Sequence, residues 1–247
     1  MRSGREVTRN ELEINKSISK YIEQISHQGL DIVQLFDFNL LSRICHDRDK
    51  LENEQFSLTE QFSTKYFDFS PQTAFWLAAR NSDGQVVSVQ AARLDQLGEL
   101  SLADFWMQQQ RRIYCDPYPD ISAELGDWHC PDAYHISGLC VYHGNMWIRK
   151  EWKGRNLSRP LCRLGQLIAF AKWEFDYIYC FIQKELVSKG FAAHQGYNHT
   201  SPCGTEWNIA PDHIRGDDYL CYNRPADLAH LVRVTNESSS ASLSYMP

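Results

Sequence analysis

Between residues 159 and 175, Leu161, Leu164, Gly165, Ile168, Ala171 and Phe175 recur at three- and four-residue spacing, the period of an amphipathic helix. Pro160 suits the first turn, where a missing N–H costs nothing, and Ser158 or Asn156 is placed to cap it. Directly afterwards comes Tyr177-Ile178-Tyr179-Cys180-Phe181-Ile182, a continuous apolar run with no side to show to water, as expected of a strand covered on both faces. A β-rich region at 134–141 precedes the helix, so the order is strand, helix, strand. That order sets the class as α/β or α+β, built on a mixed sheet.

The flanking regions extend this reading. Leu12, Ile14, Ile18, Tyr21, Ile22 and Ile25 predict a helix from residue 11 to about 28, stopped at Gly29. Residues 30–51 are compatible with a second helix through Ile32, Leu35, Phe36, Leu40, Leu41 and Ile44, although acidic residues interrupt it. Two β-prone runs, 74–80 and 85–93, flank Asn81-Ser82-Asp83-Gly84 and predict a hairpin. Residues 101–113 look helical. His143-Gly144 can turn the chain into 145–149. Further on, 184–189 reads as a short helix, 219–222 as a last strand and 226–232 as a helix. The expected organisation is a helical N-terminal extension over 1–70 packed on a main domain over 71–234, with a Ser-rich flexible tail over 235–247.

Composition removes several classes. Of 247 residues, 43% are hydrophobic and 23% charged, values of an ordinary globular chain rather than a disordered one. No apolar run approaches the about 18 residues of a membrane-spanning helix, so no membrane partner is expected. The opening residues carry Arg2, Arg5 and Arg9 without an apolar stretch after them, so no secretory signal is expected and the expected location is cytoplasmic. The eight cysteines are accordingly read as reduced, and none is spaced as a zinc ligand pair, so no metal is expected. A net charge of −6 opposes nucleic-acid binding, which needs a broad positive surface. Nothing in the sequence decides between a monomer and a homodimer.

The charge is unevenly spread. From residue 149 to 163 there are six basic residues (Arg149, Lys150, Lys153, Arg155, Arg159, Arg163) and one acid (Glu151), so this stretch is +5 and the remainder −11. It lies where the chain enters the best-defined helix, and the first N–H groups of a helix are unpaired and sit at the positive end of its dipole. A polyanionic small ligand, a nucleotide or pyrophosphate, suits such a junction. A solvated basic face is the other reading of the same charges.

Lys153-Gly154-Arg155-Asn156-Leu157-Ser158 resembles the Arg/Gln-x-x-Gly-x-Gly/Ala loop of the GNAT superfamily of acyl-CoA-dependent N-acyltransferases, with Asn in place of the fourth-position Gly. Asn is tolerable there because it visits left-handed backbone more readily than other non-Gly residues. Residues 190–197, Gly-Phe-Ala-Ala-His-Gln-Gly-Tyr, resemble the family's segment over the pantetheine and thioester, and the resemblance runs from about 75 to 222. It implies a mixed, mostly antiparallel sheet flanked by helices, whose central strands, here 146–149 and 177–182, splay to admit acyl-pantetheine. It implies acetyl-CoA or another acyl-CoA as co-substrate, held by Trp147, Ile148, Lys153, Gly154, Arg155, Asn156, Leu157, Ser158 and Phe191.

The activity so implied is attack of an amine, on a small molecule or a peptide, on the thioester. Ala192 stands where the family often carries a Tyr general acid, so the usual proton donor is missing at that place. His143, Glu206, His194 and Asp217 are the candidates for a general base, with Tyr197 as a candidate proton donor; a surface or structural role is the alternative for each. Two rival functions stay open: a non-catalytic acyl-CoA-binding or regulatory protein on the same fold, and an acyltransferase drawing on acyl carrier protein.

Overall fold

Asn81 closes the first hairpin by accepting the Gln85 and Asp83 N–H groups on its side chain, while Gly84 takes φ +76°. The strands it joins are β2 (Ala74–Arg80) and β3 (Val86–Ser101), paired antiparallel. The computed structural model describes residues 10–52, 58–115 and 123–243. Around the hairpin a seven-stranded sheet adds β1 (Asp31–Leu35), β5 (Ser137–Ile148), β6 (Tyr177–Ile182), β7 (His199–Ser201) and β9 (Tyr219–Asn223), in the order β1-β2-β3-β5-β6-β9-β7. A separate pair joins β4 (Glu124–Leu125) to β8 (Trp207–Ile209). Among the described residues only β5 and β6 run parallel; every other pairing is antiparallel.

Alternation along β2 explains why both faces are covered. Ala74, Trp76 and Ala78 belong to one core with Phe38, Leu41, Trp106 and Tyr142. Phe75, Leu77 and Ala79 belong to the other, with Ile14, Tyr21, Leu164 and Phe170, as the two-residue strand period requires. The first core is covered by α2 (Phe38–Glu52) and α3 (Leu102–Gln110), the second by α1 (Glu11–Ser26), α4 (Ser158–Lys172) and α7 (Pro225–Leu243). Two short helices, α5 (Lys184–Val187) and α6 (Phe191–Gln195), follow β6. The N-terminus of α3 has a full capping box, with Ser101 and Asp104 bonding each other's backbone N–H. No helix among the described residues is long and apolar enough to cross a membrane.

Four readings of the sequence are corrected. The stretch expected as one helix at 30–51 is a strand and then a helix: β1 pairs with β2 along its length, and Asp31, one of the interrupting acids, meets Arg80 at 3.0 Å. Residues 31–35 therefore belong to the sheet rather than to a helical extension. His143-Gly144 makes no turn, because β5 runs straight through it. Ala171 is exposed and α4 ends at Lys172, short of Phe175. The Ser-rich segment expected as tail from 235 is helical to Leu243, and Ser17 Oγ–H donates to Asn236 Oδ1 across α1 and α7; residues 244–247 lie outside the described residues. The eight cysteines are all thiols, none of them joined in a disulfide.

Candidate active site

The parallel pair β5 and β6 stays together for three residues only, Cys140–Tyr142 against Tyr177–Tyr179. Beyond them β5 carries a bulge: Val89 faces Trp147 but Ala91 faces Gly144, so β5 has one residue more than β3 between the two pairs, and Asn145 takes φ +53°. A bulge bends its strand and increases local twist. β5 and β6 part there and open a cleft of about 1090 Å³. Its β5 edge presents backbone groups that no strand covers, which is what an extended, amide-bearing ligand needs in order to pair as a further strand would.

One end of the cleft is the entrance to α4. Gly154 and Asn156 are both left-handed, at φ +79° and +57°. Leu157, itself in right-handed helical geometry, stands at the cap position with no side-chain cap bond, so the capping expected of Ser158 or Asn156 is not made. Among the described residues, the backbone N–H groups of 154–159 have no protein acceptor; the helix ladder begins with Leu161 N–H to Leu157 O at 3.1 Å. These donors meet the positive end of the α4 dipole, with Lys153 beside them on the cleft wall. Arg155 is turned aside, its guanidinium 4.4 Å from the ring centre of Trp152.

The floor is a buried relay. Gln90 Nε2–H donates to the Leu161 carbonyl at 2.7 Å, which leaves Gln90 Oε1 to accept from His143 Nε2–H at 2.9 Å. The imidazole is then neutral with its lone pair on Nδ1, where it accepts the Tyr197 hydroxyl at 2.8 Å. Burial pushes the His143 pKa down to about 4 and the Tyr197 pKa well up. Gly165 makes the approach feasible, since a Cβ there would stand 2.5 Å from Gln90 Oε1 and 2.7 Å from His143 Nε2. With both ring nitrogens engaged, His143 has no lone pair for a substrate proton. Tyr197 directs its own proton into this relay.

The far end is assembled from four segments. Glu60 comes from a 3₁₀ turn, Glu60–Phe62, Tyr114 from the π turn that extends α3, Trp207 from β8, and Asp218 from the residue before β9. Glu60 Oε1 lies 2.8 Å from His213 Nε2, Glu60 Oε2 accepts from the Tyr114 hydroxyl at 3.3 Å, and Tyr114 meets Trp207 edge to face at 5.8 Å. The turn bearing Glu60 is held by Arg93, which is 3% exposed and donates to the Gln61 carbonyl and to Gln61 Oε1. The guanidinium stacks on Phe67 at 3.9 Å and pairs with Asp95 at 2.9 Å. Asp218 Oδ1 and Thr59 Oγ1 are buried on this wall without a hydrogen-bond partner among the described residues. Burial is the main cause that raises the Asp218 pKa to about 6, against the opposing charge of Arg215.

Most residues named from the sequence do meet. Trp147, Ile148, Lys153, Gly154, Asn156, Leu157, Ser158, Phe191, His143 and Tyr197 all line the cleft, and Arg155 does not. Glu206 is elsewhere: its carboxylate accepts the Trp128 N–H at 2.7 Å and its own N–H donates to His129 Nδ1. His194 is exposed, beside Arg159 and Arg163. Asp217 pairs with Arg215 at 3.3 Å. Ala192 is buried and offers no proton. The sequence reading did not find Glu60, Tyr114, His213 or Asp218, because no local pattern joins them.

No protein-family model matches the sequence, and no curated protein does. Among solved structures the chain is similar to NAA60 of Arabidopsis thaliana in complex with acetyl-CoA, at TM-score 0.47 and 10% identity over 79% of this chain and 98% of that one. It is also similar to an acetyltransferase of GNAT family from Streptococcus pneumoniae, at 0.43 and 13% over 78% and 99%. A third is the spermidine N-acetyltransferase from Vibrio cholerae in complex with CoA and spermine, at 0.44 and 10% over 81% and 98%. The mixed sheet, its parted parallel pair and the Gly-bearing loop that opens α4 agree with the fold expected from the sequence.

Proposed function

We propose that this protein is an N-acyltransferase that takes its acyl group from acetyl-CoA or another acyl-CoA and passes it to an amine. The observation that carries this reading is the set of unpaired amides at Gly154, Asn156, Leu157 and Ser158, residues that line the same cleft as the gap between β5 and β6. The amides and Lys153 suit a diphosphate, and the uncovered edge of β5 suits the amide-bearing arm that follows it. When bound, the thioester supplies an activated carbonyl carbon. The chain's own part is to hold that carbon beside the β5 backbone, keep water out with Trp147, Ile182 and Phe191, and present an amine from the far end.

Calorimetric titration with acetyl-CoA tests the reading, with micromolar binding and one site per chain expected; absence of binding at millimolar ligand would overturn it. A non-catalytic acyl-CoA-binding protein is the second reading. It is favoured by Ala192 and by the engagement of Tyr197 with His143, which leave the departing thiolate no side-chain acid at those places. Thiol release during incubation with amines separates the two.

A further inference from the structure

The acyltransferase reading leaves the far end of the cleft without an occupant, and the charges there differ from those at the α4 entrance. Among the described residues Arg215 is the one arginine on this wall, and it is already engaged, with Glu185 Oε1 at 2.7 Å and Asp217 Oδ1 at 3.3 Å. Glu60 and Asp218 line this end, and Glu185 and Asp217 lie beside it on Arg215, so four carboxylates are gathered around one arginine. The opposite end has Lys153 on its wall, with Lys150 and Arg155 against Glu151 in the same segment outside it. Within the acidic end, the Asp218 carboxylate has an oxygen removed from water with nothing donating to it, and Thr59 Oγ1 is in the same position. A buried acceptor without a donor costs free energy, and a donor brought by a ligand removes that cost. Tyr114 and Trp207 meet edge to face on the wall of the cleft that Glu60 and Asp218 also line, an aromatic surface of the kind that accommodates an alkylammonium.

Resting on the acyltransferase reading, we propose that the acceptor is a small aliphatic diamine or polyamine, one of whose ammonium groups is received and deprotonated by Asp218 while a second is held at Glu60. One proton passes from the ammonium to the Asp218 carboxylate, and the freed lone pair forms the nitrogen–carbon bond as the carbon–sulfur bond breaks. The departing thiolate takes the second proton from the new amide nitrogen, and Asp218 later loses its proton to water. No separate side-chain acid is needed, which agrees with Ala192. The groups facing Asp218 are Arg215, Asp217 and Glu185 from its own side and the Tyr142 hydroxyl from the cleft floor. At neutral pH Asp218 is ionised and ready as a base.

Three acceptors with one four-carbon chain test this, 1,4-diaminobutane, 1-aminobutane and 4-aminobutanoate, whose far ends are positive, neutral and negative. With acetyl-CoA as donor, kcat/KM should fall in that order, at least about tenfold per step. Glu60→Gln should flatten the series. Asp218→Asn should lower kcat about 100-fold or more and remove a rise in kcat/KM with pH centred near 6, while acetyl-CoA binding by calorimetry stays at the wild-type value. Equal rates along the series, or a full rate in Asp218→Asn, would overturn the proposal. Loss of acetyl-CoA binding in Asp218→Asn would also overturn it, by making the residue structural. If the wild-type protein fails to bind acetyl-CoA, the acyltransferase reading itself falls, a result read before any amine is added.

Discussion

The two ends of the cleft are built in opposite ways. The α4 entrance is six consecutive residues whose backbone does the work, with left-handed Gly154 and Asn156 aiming amides that no protein atom claims. The far end is made of side chains from residues as distant as Glu60 and His213, 153 positions apart, and its shape depends on a buried arginine. A backbone site is local, positive and tolerant of its side chains. A side-chain site is long-range, here acidic and aromatic, and sensitive to every anchor that holds its pieces. This division suits a ligand with one constant end and one variable end.

Removing the anchor should have the largest effect. Arg93→Leu leaves the Asp95 carboxylate and the Gln61 carbonyl buried without their cation, and should lower the unfolding free energy in urea by about 3–5 kcal/mol; a loss under about 1 kcal/mol would mean that the turn at Glu60 is held by other contacts. Next comes the floor. The His143 pKa is near 4 in the fold and about 6.5 when unfolded, so between those values the unfolded chain binds more protons. Its contribution to stability is constant above 6.5 and is lost as pH falls towards 4, at up to about 1.4 kcal/mol per unit. His143→Gln should remove that slope in unfolding curves recorded from pH 7 to 4. Asp218 works in the other sense: its folded pKa is raised to about 6 from 3.8, so its ionisation costs the fold stability as pH rises through that interval.

At the entrance, Gly154→Val places a β-branched side chain at φ +79° and should weaken acetyl-CoA binding about 100-fold, a loss of about 2.7 kcal/mol within the range of one strained residue. An unchanged Kd would separate the loop from the ligand. The smallest effect should come from Asn156: Gly there keeps the left-handed turn and the affinity, whereas Leu lowers it by about tenfold. If Gly and Leu bind alike, the conformation of residue 156 is irrelevant and the contrast between the two ends loses its basis.

How much of this was legible follows the same division. The hairpin at 81–84, α4 and the loop before it are local patterns, and the sequence reading placed them within a few residues. β5 was broken at His143-Gly144 because a polar residue and a glycine interrupt an apolar run; the strand persists because Gln90 and Tyr197, distant in sequence, satisfy the ring. β1 was missed because Asp31 reads as an interruption until Arg80 lies opposite. Asp217 was named and Asp218 was not, yet it is Asp218 that lines the cleft while Asp217 turns to Arg215. Asp217 lies in the turn before β9 and Asp218 is the residue that joins this turn to the strand, so which of the two faces in is set by the turn and not by any local pattern.

The extra residue at Asn145 has an effect beyond opening the cleft. Ahead of it Cys140 and Tyr142 belong to the core under α2 and α3 and Val141 to the core under α4; past it Trp147 belongs to the first core and Met146 and Ile148 pack on the second. Odd and even positions have traded sides. Deleting Asn145 would remove the bulge and leave Met146, Trp147 and Ile148 on the sides they now hold, because one residue fewer restores simple alternation from Tyr142; a straightened β5 with every residue kept would instead send Trp147 to the wrong layer, so this one position sets the phase of everything that β5 shows to a ligand.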